Sequence, residues 1–212
     1  MKIVTSFNPF GRIDRQQYCL STWKKYGLKI VAFQTQEEIE LLRDGFQGVE
    51  FIASSESQPK IFDLCNLSVD QDPALVVNSD ISIKSNSFDF QNDWRVHKKT
   101  LTVGIRHERD PTGTKTLTRY GVDAFLITRP MADTLPNLDF RIGKPVWDFW
   151  LIWHFAALDY IIKPIKRGLI HHRHKQVWTK QTHDQNMKTF TDHYGVNHNL
   201  LSHAVLGLTG RT

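Results

Sequence analysis

The sequence predicts an α/β fold, a mixed but mostly parallel central sheet flanked by helices. Three observations carry this expectation. Short apolar runs rich in β-branched residues alternate with helix-period segments through the first eighty residues, the pattern of βαβ units. One of those runs, Ala74-Leu75-Val76-Val77, is apolar at every position, as a strand buried on both faces is. The chain has 212 residues, 40% hydrophobic and 23% charged, which suits one substantial core.

The elements follow in order. Lys2 to Phe7 reads as the opening strand, and Asn8-Pro9-Phe10-Gly11 as a turn. From Arg12 the period changes: Ile13, Gln16, Gln17, Leu20, Trp23 and Lys24 recur at helical spacing until Gly27. Lys29–Gln34 is a second strand, Glu37–Arg43 a short helix, Val49–Ala53 a third strand. Lys60–Leu67 is helical, with Ile61, Leu64 and Cys65 on its apolar side. The fourth strand runs from Ala74 to Asp80 and ends in a small polar cluster, Asn78-Ser79-Asp80.

Beyond it the rhythm shifts. Thr100–Arg106 and Ala124–Thr128 are strand-like with no helix between them. His107–Arg119, with Pro111 and Gly113, reads as a flexible loop. Pro145–Tyr160 is a strong helix in which Trp147, Trp150, Leu151, His154, Phe155 and Leu158 share a face. Ile161–Ile165 is a short strand, followed by His171-His172-Arg173-His174. Residues 181–212 read as a polar, partly helical tail.

Several function classes are excluded. There is no G-x-x-x-x-G-K-[ST] loop, no glycine fingerprint after the first strand and no G-x-S-x-G elbow. Cys19 and Cys65 lack metal-type spacing and read as buried thiols of a cytoplasmic protein, with a disulfide as the lesser reading. The N-terminus lacks a secretion signal. The stretch Val146–Leu158, broken by Asp148 and His154, is too short to span a bilayer. Net charge is +5, and residues 141–180 hold eight Lys and Arg against only Asp148 and Asp159. That surplus suits an anionic partner such as a diphosphate or nucleic acid, or else forms a solvated basic face.

The candidate chemistry sits at strand ends, where open α/β sheets bind ligands. Asp80 either caps a turn or holds a divalent cation such as Mn²⁺ or Mg²⁺, with His172 and His174 as further ligands that share one side of an extended segment. Asp148, flanked by Trp147 and Trp150, either complements a helix N-terminus or acts as a base, with the indoles as an acceptor platform. Asp123 either orients the acceptor or caps a turn. Thr5, Ser6, Asn8, Arg12, Gln34, Asn78 and Ser79 complete the expected nucleotide site.

The order of these features resembles the GT-A-fold glycosyltransferases, the nucleotide-diphospho-sugar transferase superfamily. The resemblance rests on Thr5-Ser6-Phe7-Asn8 after the first strand, the βαβ half, Val77-Asn78-Ser79-Asp80-Ile81, the Asp148 helix, and the histidine cluster followed by Trp178. It implies a single GT-A-like (Rossmann-like) catalytic domain over residues 1–180, with a nucleotide-binding half (1–81) and an acceptor half (100–180). It implies a nucleotide-sugar donor, a carbohydrate or other hydroxyl acceptor, and Asp148 as the base of an inverting transfer. The family's metal motif is Asp-x-Asp; here Asn78 stands at its first position, so only Asp80 carries over, with His172 or His174 as the late ligand. Three rival readings keep the fold: a sugar-phosphate nucleotidyltransferase, a nucleic-acid-binding or DNA-modifying protein using the basic segment, and a non-catalytic domain.

Overall fold

Alternation in the first half of the chain follows directly from which side chains reach which face of the sheet. A computed structural model describes residues 1–68, 72–84, 90–109, 115–172 and 178–196, without the side chains of 90, 91, 109, 115–120 and 172. Strand β1 (Lys2–Thr5) is followed by α1 (Ile13–Lys24), β2 (Lys29–Gln34), α2 (Gln36–Leu42), β3 (Val49–Ala53), α3 (Ile61–Ser68) and β4 (Ala74–Val77). Strand side chains alternate. Ile3, Leu75 and Val77 pack with Cys19, Leu20 and Trp23 of α1. Val4, Val76 and Val31 pack on the other face with Ile61 and Leu64 of α3. Both faces are covered, so these strands carry no polar outward side, and that is why β4 is apolar throughout. Helix α2 opens on a capping box, in which Thr35 and Glu38 exchange side-chain-to-backbone hydrogen bonds.

The second half adds β5 (Ile81–Ile83), α4 (Phe90–Asp93), β6 (Thr100–Arg109), β7 (Lys115–Ile127), α5 (Arg129–Ala132), α6 (Trp147–Ala157), β8 (Ile161–His172) and α7 (Lys180–Tyr194). Among the described residues the strands form one eight-stranded sheet in the order β3-β2-β1-β4-β7-β6-β8-β5. β5 and β7 run against the other six.

One short link shapes this sheet. β4 lies in its middle and β5 at its far edge, yet only Asn78-Ser79-Asp80 joins them, in a turn closed by Ile81 N donating to Asn78 O at 3.2 Å. A flat sheet would hold these strands about 19 Å apart, at about 4.8 Å per strand. Four peptide links reach no more than about 15 Å. The sheet therefore curls. Irregular pairing of β6 from Gly104 to His107, against both β7 and β8, accommodates the bend. The curl brings β5 onto α1: the Trp23 indole N–H donates to Ile81 O at 2.8 Å, and Ile83 N donates to Thr22 Oγ1 at 3.0 Å.

The structure corrects three element expectations. The fourth strand stops at Val77, and the polar cluster is a turn between two strands. His107–Arg109 belongs to β6 and Lys115–Arg119 to β7, so the expected flexible loop shrinks to residues 110–114, which lie outside the described residues. β8 runs to His172, well past Ile165. Pro164 is tolerated in it because, among the described residues, β5 pairs only with residues 169–171 and leaves the strand without a second neighbour at the proline. Beyond Lys180, α7 sets Met187 and Phe190 into the same core as α6.

Gly104 marks the bend. A Cβ there would sit 2.1 Å from Leu169 Cδ1 and 3.0 Å from both Ala124 Cβ and Trp94 Cη2. Gly104→Ala is therefore expected to cost about 1–3 kcal/mol by overpacking, read as a lower urea midpoint at unchanged slope. An unchanged midpoint would show that the curl does not depend on this close approach.

Candidate active site

The C-terminal ends of β1, β2 and β4 form one rim. Here the backbone leaves the sheet and must find new hydrogen-bond partners. Gln34, fully buried, provides them between β1 and β2. Its carbonyl oxygen accepts from Ser6 Oγ at 3.0 Å and Phe7 N at 2.5 Å, and its amide donates to Phe7 O at 2.9 Å and Glu38 Oε2 at 2.7 Å. Gln16 does the same for the following loop. It accepts from Asn8 N at 2.7 Å and donates to Asn8 O at 2.8 Å and Gly11 O at 2.6 Å. It also accepts from Ser79 Oγ at 3.0 Å, tying the first loop to the β4–β5 turn. Arg12 follows in a left-handed conformation (φ 51°) at the start of α1, exposed beside this loop. Thr5 is fully buried, and its Oγ1 has no hydrogen-bond partner among the described residues.

Where the rim meets β6 and β7 it is strongly polar. Asn78 Nδ2 donates to Asp123 Oδ1 at 2.7 Å. Asp123, only 3% exposed, accepts on its other oxygen from Arg106 Nη1 at 2.7 Å. Arg106 lies flat over Gly121, where a Cβ would come within 2.1 Å of its Nε. Arg106 and Glu108, two apart on β6, share a face, and their charged groups stand 3.7 Å apart. His171 bridges the rim: its Nε2 is 3.1 Å from Asp80 Oδ2 and its Nδ1 is 3.8 Å from Glu108 Oε1. One polar chain thus runs from Asp80 through His171, Glu108, Arg106 and Asp123 to Asn78.

Asp148 stands in the first turn of α6, partly open to solvent, beside this chain. Burial pushes its carboxyl up to about 7, and the charge of Asp123 pushes the same way; hydrogen bonding to the Phe149 backbone and the charge of Arg106 pull back only in part. The helix starts under strain. Val146, the residue before it, has φ 80°, where a β-branched side chain is an outlier; such strain costs about 1–3 kcal/mol and gathers at functional sites.

The structure brings together Thr5, Ser6, Asn8, Asn78, Ser79, Asp80, Asp123 and Asp148 along one rim, and reassigns other expected site residues. Trp147 and Trp150 are buried, the first tilted against Phe125 and the second stacked on Phe140, so neither offers a ring face to an acceptor. An apolar helix buries its tryptophans whether or not a carboxylate stands between them. The amide of Gln34 is consumed by protein partners, so it organises the loop rather than meeting a nucleotide. The imidazole on Asp80 is that of His171; the side chain of His172 and the whole of His174 lie outside the described residues. Among the described residues no three His, Cys, Asp or Glu side chains converge as a metal site. Asp80 and His171 supply one oxygen and one nitrogen, a pair that suits an ion completing its shell with diphosphate and water. Arg106 and Glu108 complete the site without having been singled out for it. Their signal was the period-two polar pair on a strand.

Parts of the basic segment are already engaged. Lys163 donates to Asp93 O at 3.3 Å, Arg167 pairs with Asp93 at 3.6 Å, and Arg141 and Lys180 have carboxylate partners. Both cysteines are buried and unpaired. Among the described residues no helix is long and apolar enough to cross a membrane. A groove between α2 and β3, lined by Ile39, Arg43, Phe46, Val49 and Phe51, lies along the β3 edge of the sheet.

No protein-family model matches the chain, and no curated protein sequence does either. Among solved structures, the crystal structure of 4-diphosphocytidyl-2C-methyl-D-erythritol synthase from Anaerococcus prevotii is similar, with a TM-score of 0.51 at 10% identity. The match covers 89% of this chain and 92% of that one. The fold is GT-A-like. At this identity the likeness concerns the fold alone, and the chemistry rests on the residues of the rim.

The raised carboxyl has a consequence for stability. In the unfolded chain an aspartate loses its proton near pH 4, whereas folded Asp148 keeps it to about pH 7. The native state binds the extra proton between these values, so stability falls as pH rises through that window, and the full cost is present above it. Asp148→Asn, neutral at every pH, should melt several degrees above the wild type at pH 8 and level with it near pH 4. Equal melting temperatures at pH 8 would show that the carboxyl ionises without strain.

Proposed function

We propose that the protein is a glycosyltransferase that moves a sugar from a nucleoside-diphosphate donor to an acceptor hydroxyl. The observation that carries this reading is Asp148. It is a carboxyl pushed up to about 7 and partly open to solvent, set beside the Arg106–Asp123 pair at the rim where β1, β2 and β4 end. A general base works best when its pKa lies near the working pH.

On this reading the nucleotide lies along Thr5, Ser6, Asn8, Arg12, Asn78 and Ser79. Asp148 takes the proton from the acceptor hydroxyl as its oxygen bonds the anomeric carbon. The bond from that carbon to the diphosphate breaks, and the nucleoside diphosphate leaves with the electron pair, giving inversion. Asp123, held by Arg106 and Asn78, orients the acceptor. Asp80 with His171 would hold a divalent cation, which when bound supplies positive charge beside the diphosphate. The engaged lysines and arginines of the basic segment favour a carbohydrate or similar neutral acceptor over nucleic acid.

A second reading, nucleotidyl transfer, draws on the name of the structural neighbour, which describes making a compound that joins a diphosphocytidyl group to a methylerythritol. The product separates the two. Sugar transfer releases nucleoside diphosphate from a sugar nucleotide, whereas nucleotidyl transfer releases pyrophosphate from a triphosphate and a sugar or polyol phosphate.

Incubation with a panel of sugar nucleotides and acceptors should therefore release nucleoside diphosphate, with kcat/KM rising through about pH 7. Asp148→Asn should lower transfer about 100- to 10,000-fold while nucleotide still raises the melting temperature. Full transfer by that variant, or pyrophosphate as the product, would overturn the reading.

A further inference from the structure

We propose that Asn186, on α7, is a positioning residue for Asp148: its hydrogen bond to the Pro145 carbonyl holds the left-handed Val146 from which α6 presents the base. The inference rests on the role given to Asp148 above.

Helix α6 starts without a side-chain cap, and Val146 (φ 80°, ψ −24°) is its N-cap residue. A valine relaxes out of this region unless its neighbours over-determine it. Rotation at Val146 would swing Trp147 and Asp148 together relative to the rim. The valine side chain is buried at 2% exposure, which fixes one end of the residue. On the other side the ring of Pro145 fixes its own φ, and Asn186 Nδ2 donates to Pro145 O at 2.7 Å.

Asn186 can do this because α7 is itself anchored along α6. Met187 and Phe190 lie in the shared core. At the helix end, Tyr194 Oη accepts from Trp150 Nε1 at 2.9 Å and stands 3.0 Å from His154 Nδ1. His154 in turn meets Thr134 Oγ1 at 3.2 Å. The tie therefore runs from a helix anchored through its second half to the residue three positions before Asp148. The groups that set the charge around Asp148 are Asp123 of β7, Arg106 of β6 and the Phe149 backbone. Asn186 is neutral, so a change in Asp148 on its removal reports position and not a lost charge.

The test uses the full chain labelled with ¹³C at aspartate carboxyls, the Asp148 resonance being assigned by its loss in Asp148→Asn. In Asn186→Leu the Asp148 midpoint should fall by at least one unit from about 7, toward the ordinary aspartate value of about 4. Transfer kcat should fall about 10- to 100-fold at unchanged donor KM. Adding Val146→Gly should recover at least half of both losses, because glycine takes a positive φ without strain. Should the leucine variant fail to fold by near-ultraviolet circular dichroism, Asn186→Ser replaces it with the same expectations. An unchanged midpoint in a folded variant overturns the proposal, as does a loss that Val146→Gly leaves untouched. The titration needs no substrate, so its outcome stands apart from the case in which Asp148→Asn retains transfer and the proposed function itself fails.

Discussion

The three-residue link between β4 and β5 is the constraint on which the rest of this molecule depends. Asn78-Ser79-Asp80 is too short to cross a flat sheet from its centre to its edge. The sheet must curl, and the curl sets the C-terminal ends of β6 and β8 over the turn. That is how His171 reaches Asp80, and how Arg106 and Glu108 join a polar chain with the residues at the tip of β4. A residue inserted in the turn would relax the curl and take apart the polar chain before it disturbed either hydrophobic core.

Rigidity around the rim is unevenly distributed, and the distribution has a chemical logic. At the tips of β1 and β2, Gln34 and Gln16 satisfy the loop backbones, so the loops are pre-shaped. At β6 and β7 the order comes from charges that hold one another, Arg106 between Asp123 and Glu108. Asp148 is placed by neither device. It stands on an apolar helix whose first residue follows a strained valine, with α7 packed behind it. A carboxyl with a raised pKa needs enclosure rather than hydrogen bonds to its charged form, and a helix start walled by buried tryptophans supplies it.

Most of the βαβ half was legible in the sequence, because strands covered on both faces must be apolar and the intervening helices must show one apolar face. Asp80 was legible for the same reason, as the first charge after such a run. The hairpin of β6 and β7 was hidden because His107–Arg119 is polar and carries Pro111 and Gly113, so that it reads as a loop. The docking of α7 was hidden by its lysines and aspartates, although Met187, Phe190 and Tyr194 recur at helical spacing and were the signal available. Trp147 and Trp150 misled, since a carboxylate between two indoles looks the same in sequence whether the rings face a sugar or the core. Arg106 left one faint trace, a glycine (Gly121) two positions before Asp123, which makes the room its side chain occupies.

The central claim is that a sugar nucleotide binds along the tips of β1, β2 and β4. An amide-resolved NMR titration of the full chain with a series of sugar nucleotides and Mg²⁺ tests it most directly. The account predicts that the largest shift changes fall on residues 5–12 and 78–81, with smaller ones at Arg106, Asp123 and Asp148. Changes centred on the groove between α2 and β3, with the rim unmoved, would contradict it.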